Sequence, residues 1–227
     1  MKPFHMSQAH ERVGMDRNLP FWISMIIESQ KVLKPDTVKN VLDFGCGNGK
    51  FLHVFDLMDK LKSGLGVELN QDLINKANEK NKTNRIKYTF YTDELLQNSP
   101  EYFDAAYSQE VLYTIEDLKQ HAQAVFSSLK KGGFYFSTMG SHIENPLWSK
   151  RRKIIKAEEK YSAYDYSIEE VAEIFYEVGF EIGIKRLPVE YFLVYHPEIT
   201  KNFSNSLLDL VDTTYENKML FSFWKPY

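Results

Sequence analysis

Cysteine is almost absent from this chain: Cys46 is the only one in 227 residues. A single thiol excludes an intramolecular disulfide and any metal site built from cysteines alone. Long apolar runs are missing as well. No stretch approaches the roughly 18 apolar residues of a membrane-spanning helix, and the mean hydropathy is −0.41. Residues 1–7 lack the apolar segment of a signal peptide, so a reducing, cytoplasmic setting without membrane contact is expected. Positive charge is not in excess either: 28 Lys and Arg face 31 Asp and Glu, a net charge of −3. That balance excludes the chain-wide basic field of a protein that holds nucleic acid mainly through its phosphates. His5, His10, His53, His121, His142 and His196 show no ligand spacing such as His-x-x-x-His, and no metal is expected. Aromatic residues, by contrast, are plentiful: 16 Phe, 14 Tyr and 3 Trp. Such a load fills a core, or lines a pocket for a flat ring or a cation.

Short apolar runs alternate with helical patterns, the mark of a parallel α/β sheet. Strands are predicted at 41–44, 65–69, 86–91, 103–107, 134–138, 180–186 and 219–224, with a turn at 130–133. Helices are predicted over 19–33, 50–61 and 116–129, with another following the second strand. One more starts at Ser167, where Ser167 and Glu170 have capping-box spacing and Gly179 supplies the stop. His53 and His121 fall on sheet-packing helices and are expected at the surface. Residues 1–18, 139–166 and 187–217 are not required by this alternation. Added segments at strand ends are where α/β proteins build substrate sites.

The strongest local signal is the run Asp43-x-Gly45-x-Gly47-x-Gly49, between a strand and a helix. Glycines there let the backbone turn sharply and let a ligand press against main-chain atoms, and the helix N-terminus adds free N–H donors. Glu68 ends the next strand 21 residues beyond Gly47, placed to accept hydrogen bonds from a ribose diol. These parts describe a cofactor that contains a nucleoside. The dinucleotide fingerprint fails, because Lys50 stands where its third glycine belongs. A phosphate-binding P-loop fails because Phe44 and Phe51 occupy two of its required positions.

Read along the chain, these residues resemble the class I S-adenosylmethionine-dependent methyltransferases. Asp43 to Gly49 is similar to their first motif, and Glu68 to the acidic residue after strand two. Residues 92–95, with Asp93 and Glu94, resemble the stretch that contacts adenine. Residues 103–117 are similar to the fourth motif, 129–133 to the turn before strand five, and 177–181 to the entry into strand six. The resemblance spans about residues 38–186 in order. It implies a three-layer Rossmann-like α/β fold with a mostly parallel seven-stranded sheet and an antiparallel last strand. It further implies a single methyltransferase domain over 1–227, with cap segments at 1–18, 139–166 and 187–217. The implied cofactor is S-adenosyl-L-methionine, leaving as S-adenosyl-L-homocysteine. Asp43, Gly45, Cys46, Gly47, Glu68, Leu69, Asp93, Glu94, Ser108 and Gln109 would surround it, Asp43 toward the amino group of the methionine moiety. Cys46 reads as a small filler rather than a nucleophile.

The expected reaction is in-line displacement of the methyl group onto an oxygen or nitrogen of a small-molecule acceptor. Glu110, Tyr113, His142 and His196 are candidate bases with no signature that selects among them. Trp148, Tyr164, Tyr191, Tyr195 and His196 are candidate substrate contacts, because the aromatics of 139–166 and 187–217 exceed what a sheet needs. Lys150, Arg151, Arg152, Lys153 and Lys156 form the only dense basic cluster. It reads as a solvated helix face balanced by Glu158 and Glu159, or as a grip on an anion or an RNA backbone. An RNA or protein methyltransferase, and a non-catalytic S-adenosylmethionine-binding regulator, are the alternatives.

Overall fold

A computed structural model describes residues 18–34, 37–158, 162–193, 195 and 204–227 of the chain. The elements in order are α1 (Leu19–Gln30), β1 (Lys39–Phe44), α2 (Lys50–Met58), β2 (Leu61–Glu68), α3 (Gln71–Lys80) and β3 (Ile86–Phe90). There follow α4 (Asp93–Gln97), β4 (Phe103–Gln109), a 3-10 turn (Leu112–Thr114), α5 (Leu118–Ser128) and β5 (Leu129–Met139). The last are α6 (Trp148–Glu158), α7 (Ile168–Val178), β6 (Glu181–Arg186), α8 (Leu207–Tyr215) and β7 (Met219–Trp224).

The strands form one seven-stranded sheet in the order β3-β2-β1-β4-β5-β7-β6. Strands β1 to β5 pair in parallel, while β7 runs antiparallel to both β5 and β6. This is the Rossmann-like methyltransferase fold that the sequence resemblance implies. All six residues of β1 are buried, as both faces of the sheet are covered. Alternation then divides the core. Val41, Ala105, Tyr107 and Phe136 join Trp22, Phe51, Leu52 and Phe55 on one face. Leu42, Ala106, Tyr135, Phe221 and Phe223 join Leu118, Val125, Val171 and Phe175 on the other. Phe175 stacks on Phe223 with ring centroids 3.9 Å apart. Burial of each such side chain stabilises the fold by roughly 1.5–3 kcal/mol. Much of the aromatic load is therefore core.

Local signals set several ends as expected. Ser167 and Glu170 exchange side-chain and backbone hydrogen bonds at the start of α7, and Gly179 stops it at φ 112°. Other boundaries move. Helix α2 ends at Met58, and β2 begins at Leu61 because β1 draws it in, pairing Lys39 with Leu61 and Asn40 with Ser63. The turn expected at 130–133 lies inside β5, where Gly132 N donates to Lys225 O and Lys225 N to Gly133 O. It survives as a register break, Phe103 pairing with Leu129 and Ala105 with Phe134. His121 is not at the surface. It is buried, with Nε2 3.1 Å from the Tyr135 hydroxyl and its ring against Phe44, and burial pushes its pKa down to about 3.

Candidate active site

Where β1 ends, the chain turns through Gly45, Gly47 and Gly49 with φ of 77°, 54° and 81°. This left-handed region is strained for any residue with a Cβ. Gly45 N and Cys46 N both donate to Val67 O, at 2.9 and 3.0 Å, which ties the loop to β2. The Tyr88 hydroxyl donates to Gly49 O. The three glycines have different neighbours. A Cβ on Gly45 would lie 2.5 Å from Val111 Cγ2, and one on Gly49 2.7 Å from Tyr88 Cζ, whereas one on Gly47 meets nothing within 4 Å. Two are glycines because the protein packs against them; the third faces open space beside the helix N-terminus.

The side chains around that space carry unmet hydrogen-bonding capacity. Asp43 is 5% exposed and its Oδ2 has no partner. Burial, and then the charge of Glu68, push its carboxyl up to about 8. Glu68 Oε2 accepts from Gly47 N at 3.0 Å, and its Oε1 accepts from Leu69 N and Asn70 N at 2.8 and 3.1 Å. A carboxylate has about four lone-pair sites, so the capacity left lies on Oε2. Gln109 Nε2 donates to Asn18 Oδ1 at 3.3 Å, while its Oε1 is buried without a partner, as is Thr138 Oγ1. Asp43 pairs in register with Tyr107, and Gln109 with Thr138, so these orphan atoms sit on one face at the ends of three adjacent strands. A buried carboxylate oxygen that lacks a donor fits an ammonium-bearing ligand, and an approach without a Cβ at Gly47 fits a nucleoside on the backbone. The residues present therefore fit S-adenosylmethionine.

This geometry separates folding from binding. Gly45→Ala and Gly49→Ala each combine a left-handed alanine with a clash and should cost on the order of 2–5 kcal/mol. Gly47→Ala should cost only about 1–2 kcal/mol, yet its methyl group enters the ligand's approach. Thermal melts beside a cofactor titration check this: the first two should melt early, the third should fold and bind poorly.

Other expected residues lie elsewhere. Ser108 does not line the site. It points to the opposite face, with Oγ 2.7 Å from the Tyr135 hydroxyl and 2.8 Å from Ser137 Oγ. The period of two along β4 turns it away once Gln109 faces inward. Cys46 is buried against Gly66, and burial with the charges of Asp43 and Glu68 pushes its thiol well up, consistent with filler and not with a nucleophile. Leu69 is exposed, as is Glu94, whose carboxyl the backbone at the start of α4 and the Thr92 hydroxyl hold below the usual range. The side chain of Asp93 lies outside the described residues.

Two candidate bases are otherwise engaged. Burial raises the Glu110 carboxyl, but the positive charges of Lys218 and Arg151 outweigh it and hold the group down at about 2. It is an ionised anchor that accepts from Gly140 N, Ser141 Oγ and Lys218. His142 is buried between Glu144, 2.9 Å from Nδ1, and Asn217 O, 2.7 Å from Nε2. Both ring nitrogens are occupied by ties that hold the segment after β5. Tyr113 and Trp148 are buried edge to face, 5.4 Å apart, and Trp148 Nε1 donates to Asp165. They form a small buried core with Ile155 and Ala163. Tyr164 is half-buried beside Tyr166, Tyr191 is half-buried at 5.7 Å from Phe21, and Tyr195 is exposed. His196 lies outside the described residues, as do residues 1–17.

The basic cluster on α6 is not a uniformly solvated face. Lys150 Nζ donates to Ser204 O, Arg152 pairs with Asp165 and donates to Ala163 O, and Arg151 lies beside Glu110. Among the described residues, no group of His, Cys, Asp and Glu is arranged to hold a metal, and no helix is long and apolar enough to cross a membrane.

Comparison with known proteins agrees with this geometry. Residues 24–183 match the family described as methyltransferase domain. No curated protein matches the chain. Among solved structures, one similar chain comes from the complex between the Haloferax volcanii Trm112 methyltransferase activator and a methyltransferase, with a TM-score of 0.79, 15% identity, and coverage of 99% of this chain and 95% of that one. An S-adenosylmethionine-dependent methyltransferase from Mesorhizobium loti gives a TM-score of 0.68 and 17% identity, over 90% of this chain and 97% of that one. Phosphoethanolamine N-methyltransferase 2 of Haemonchus contortus, in complex with S-adenosyl-L-methionine, gives 0.68 and 19%, over 91% of this chain and 53% of that one. With a family match over most of its length, the expected sheet order and a glycine loop under an orphan carboxylate, the chain belongs to the S-adenosylmethionine-dependent methyltransferases, enzymes whose cofactor is S-adenosylmethionine.

Proposed function

We propose that this enzyme transfers the methyl group by in-line displacement to an oxygen or nitrogen of a small-molecule acceptor. The observation that carries the reading is the buried, unpartnered Oδ2 of Asp43 beside the open approach at Gly47. Asp43 would take the ammonium of the methionine moiety, Glu68 the ribose diol, and Leu69 with residues 93–94 the adenine side. When bound, the sulfonium supplies an activated methyl group with a good leaving group. The protein's own contribution is then to orient the acceptor and exclude water, an effect worth roughly 7–11 kcal/mol in well-oriented systems. Gln109 at the end of β4 and the Phe21–Tyr191 ring pair would line the acceptor's approach. Segments 1–18, 139–166 and 187–217 are read as the cap of a single domain, in a cytoplasmic setting consistent with one buried thiol.

A small molecule is preferred to RNA because Lys150 and Arg152 are tied to the cap, which leaves Lys153 and Lys156 as the exposed cations of the cluster. A labelled-methyl assay over metabolite and RNA pools tests this, with the product identified by mass. Label in a small product with little salt dependence is the expected outcome. Label in RNA with a steep salt dependence would overturn it, and tight cofactor binding without turnover in either pool would favour the non-catalytic regulator.

A further inference from the structure

The positions around Gly140 gather charge that the methyl-transfer reading does not yet use. A Cβ built there would lie 3.3 Å from Glu110 Oε1, 3.4 Å from Lys218 Nζ and 3.7 Å from Arg151 Nη1. Three charged groups thus converge on one point at the C-terminal end of β5. Lys218 is buried, paired with Glu110 and held 4.5 Å over the Phe21 ring. Glu110 is filled: Lys218, Gly140 N and Ser141 Oγ occupy its oxygens, on a backbone bent to φ 57°. Arg151 is half-buried and forms no ion pair within 4 Å among the described residues. Among the described residues, one carboxylate therefore stands against two cations, and Arg151 Nη1 lies at the strand ends beside Glu110, the residue that follows Gln109. The other nearby acids are engaged: Asp165 with Arg152, and Glu144 with His142 and Ile168 N.

We propose that Arg151, set beside the Lys218–Glu110 pair, binds an oxyanion of the acceptor, a carboxylate or a phosphate group. This rests on the methyltransferase reading and narrows it to acceptors that carry a negative group. Arginine suits the task because its planar fork matches both oxyanions with paired hydrogen bonds. Glu110 and Lys218 act as positioning residues, since the ionised carboxylate holds both cations at the strand ends.

The test titrates inorganic phosphate, followed by phosphorus line broadening, and acetate, followed by carbon line broadening, into the protein with and without saturating S-adenosylhomocysteine. Saturable binding of at least one anion is expected. Arg151→Gln should weaken it by at least about tenfold, Arg151→Lys by less, and Lys153→Gln on the same helix not at all. S-adenosylhomocysteine affinity should be the same in all four proteins. Phosphate or acetate alone, whichever saturates, tells which oxyanion the site takes. Non-saturable broadening, or equal binding in the wild type and Arg151→Gln, overturns the proposal and leaves Arg151 as a counter-charge for Glu110. If Arg151→Gln melts early, Arg151→Lys decides: affinity equal to wild type also overturns it. Failure of S-adenosylhomocysteine to bind the wild type would instead overturn the methyltransferase reading, a separate result from the anion titration.

Discussion

Asp43→Asn is expected to weaken S-adenosylmethionine binding by at least about 100-fold while raising the melting temperature of the cofactor-free protein at neutral pH. The loss follows from removing the charge of a buried carboxylate that would pair with an ammonium, a contact worth roughly 3–5 kcal/mol when one partner is deleted. The gain follows from the raised carboxyl. Its ordinary value is 3.8 and its folded value about 8, so the folded protein favours the protonated form. Stability from this group is fully present below pH 3.8 and is lost as pH rises through about 8. At pH 7 the accumulated loss is on the order of 4 kcal/mol. Asparagine does not titrate, so the variant's advantage should be large near pH 8 and vanish near pH 4. Binding by the wild type should also release a proton near pH 7, because an ammonium draws Asp43 toward its ionised form. Calorimetry in two buffers of different ionisation enthalpy, with melts at pH 4 and 8, measures both effects. An Asn variant that binds as the wild type does would remove Asp43 from the site.

Glu68→Ala should lower cofactor affinity by about the same factor and also destabilise the loop. Its carboxylate accepts from Gly47 N, Leu69 N and Asn70 N, and so fixes both the glycine turn and the start of α3. Hydrogen bonds to a charged group contribute about 1.5–3 kcal/mol each. Ribose contact can be separated from loop support by comparing adenosine with 2′-deoxyadenosine as competitors of S-adenosylhomocysteine. The wild type should prefer adenosine, and Glu68→Ala should bind both alike. Unchanged affinity in the variant would falsify the ribose assignment.

The glycine loop was the most legible feature of the sequence, because its requirements are local. A strand must end, the backbone must enter left-handed conformations at Gly45, Gly47 and Gly49, and a helix must begin. Spacing along the chain also placed Glu68 at the loop, where its carboxylate accepts from Gly47 N, because its distance from Gly47 fits one βαβ unit. Which glycine serves a ligand was not legible. A side chain at Gly45 or Gly49 would run into Val111 or Tyr88, residues brought in from other strands and loops, whereas one at Gly47 would meet open space. Ser108 and Gln109 look alike as strand-end polar residues, and only the register of β4 against β1 and β5 sends one to each face.

The candidate bases show the same limit. Glu110 and His142 carry the right chemistry for proton transfer, but a side chain's state depends on what surrounds it. Lys218 is 108 residues from Glu110, and Asn217 is 75 from His142. No periodicity links such distant positions. The aromatic residues of 139–166 and 187–217 likewise read as a pocket, yet Trp148 is consumed in packing against Tyr113.

By itself, the sequence determined the sheet, the loop and the class of cofactor, since hydrophobic period, turn glycines and strand-end carboxylates act over a few residues. The tertiary structure alone decided which atoms are left without partners. Asp43 Oδ2 and Gln109 Oε1 are orphans, and Arg151 joins Lys218 beside Glu110, only because β1, β4, β5 and the segment before β7 end side by side. Unmet charge and unmet hydrogen bonds are properties of a neighbourhood, and the neighbourhood exists only once the chain has folded.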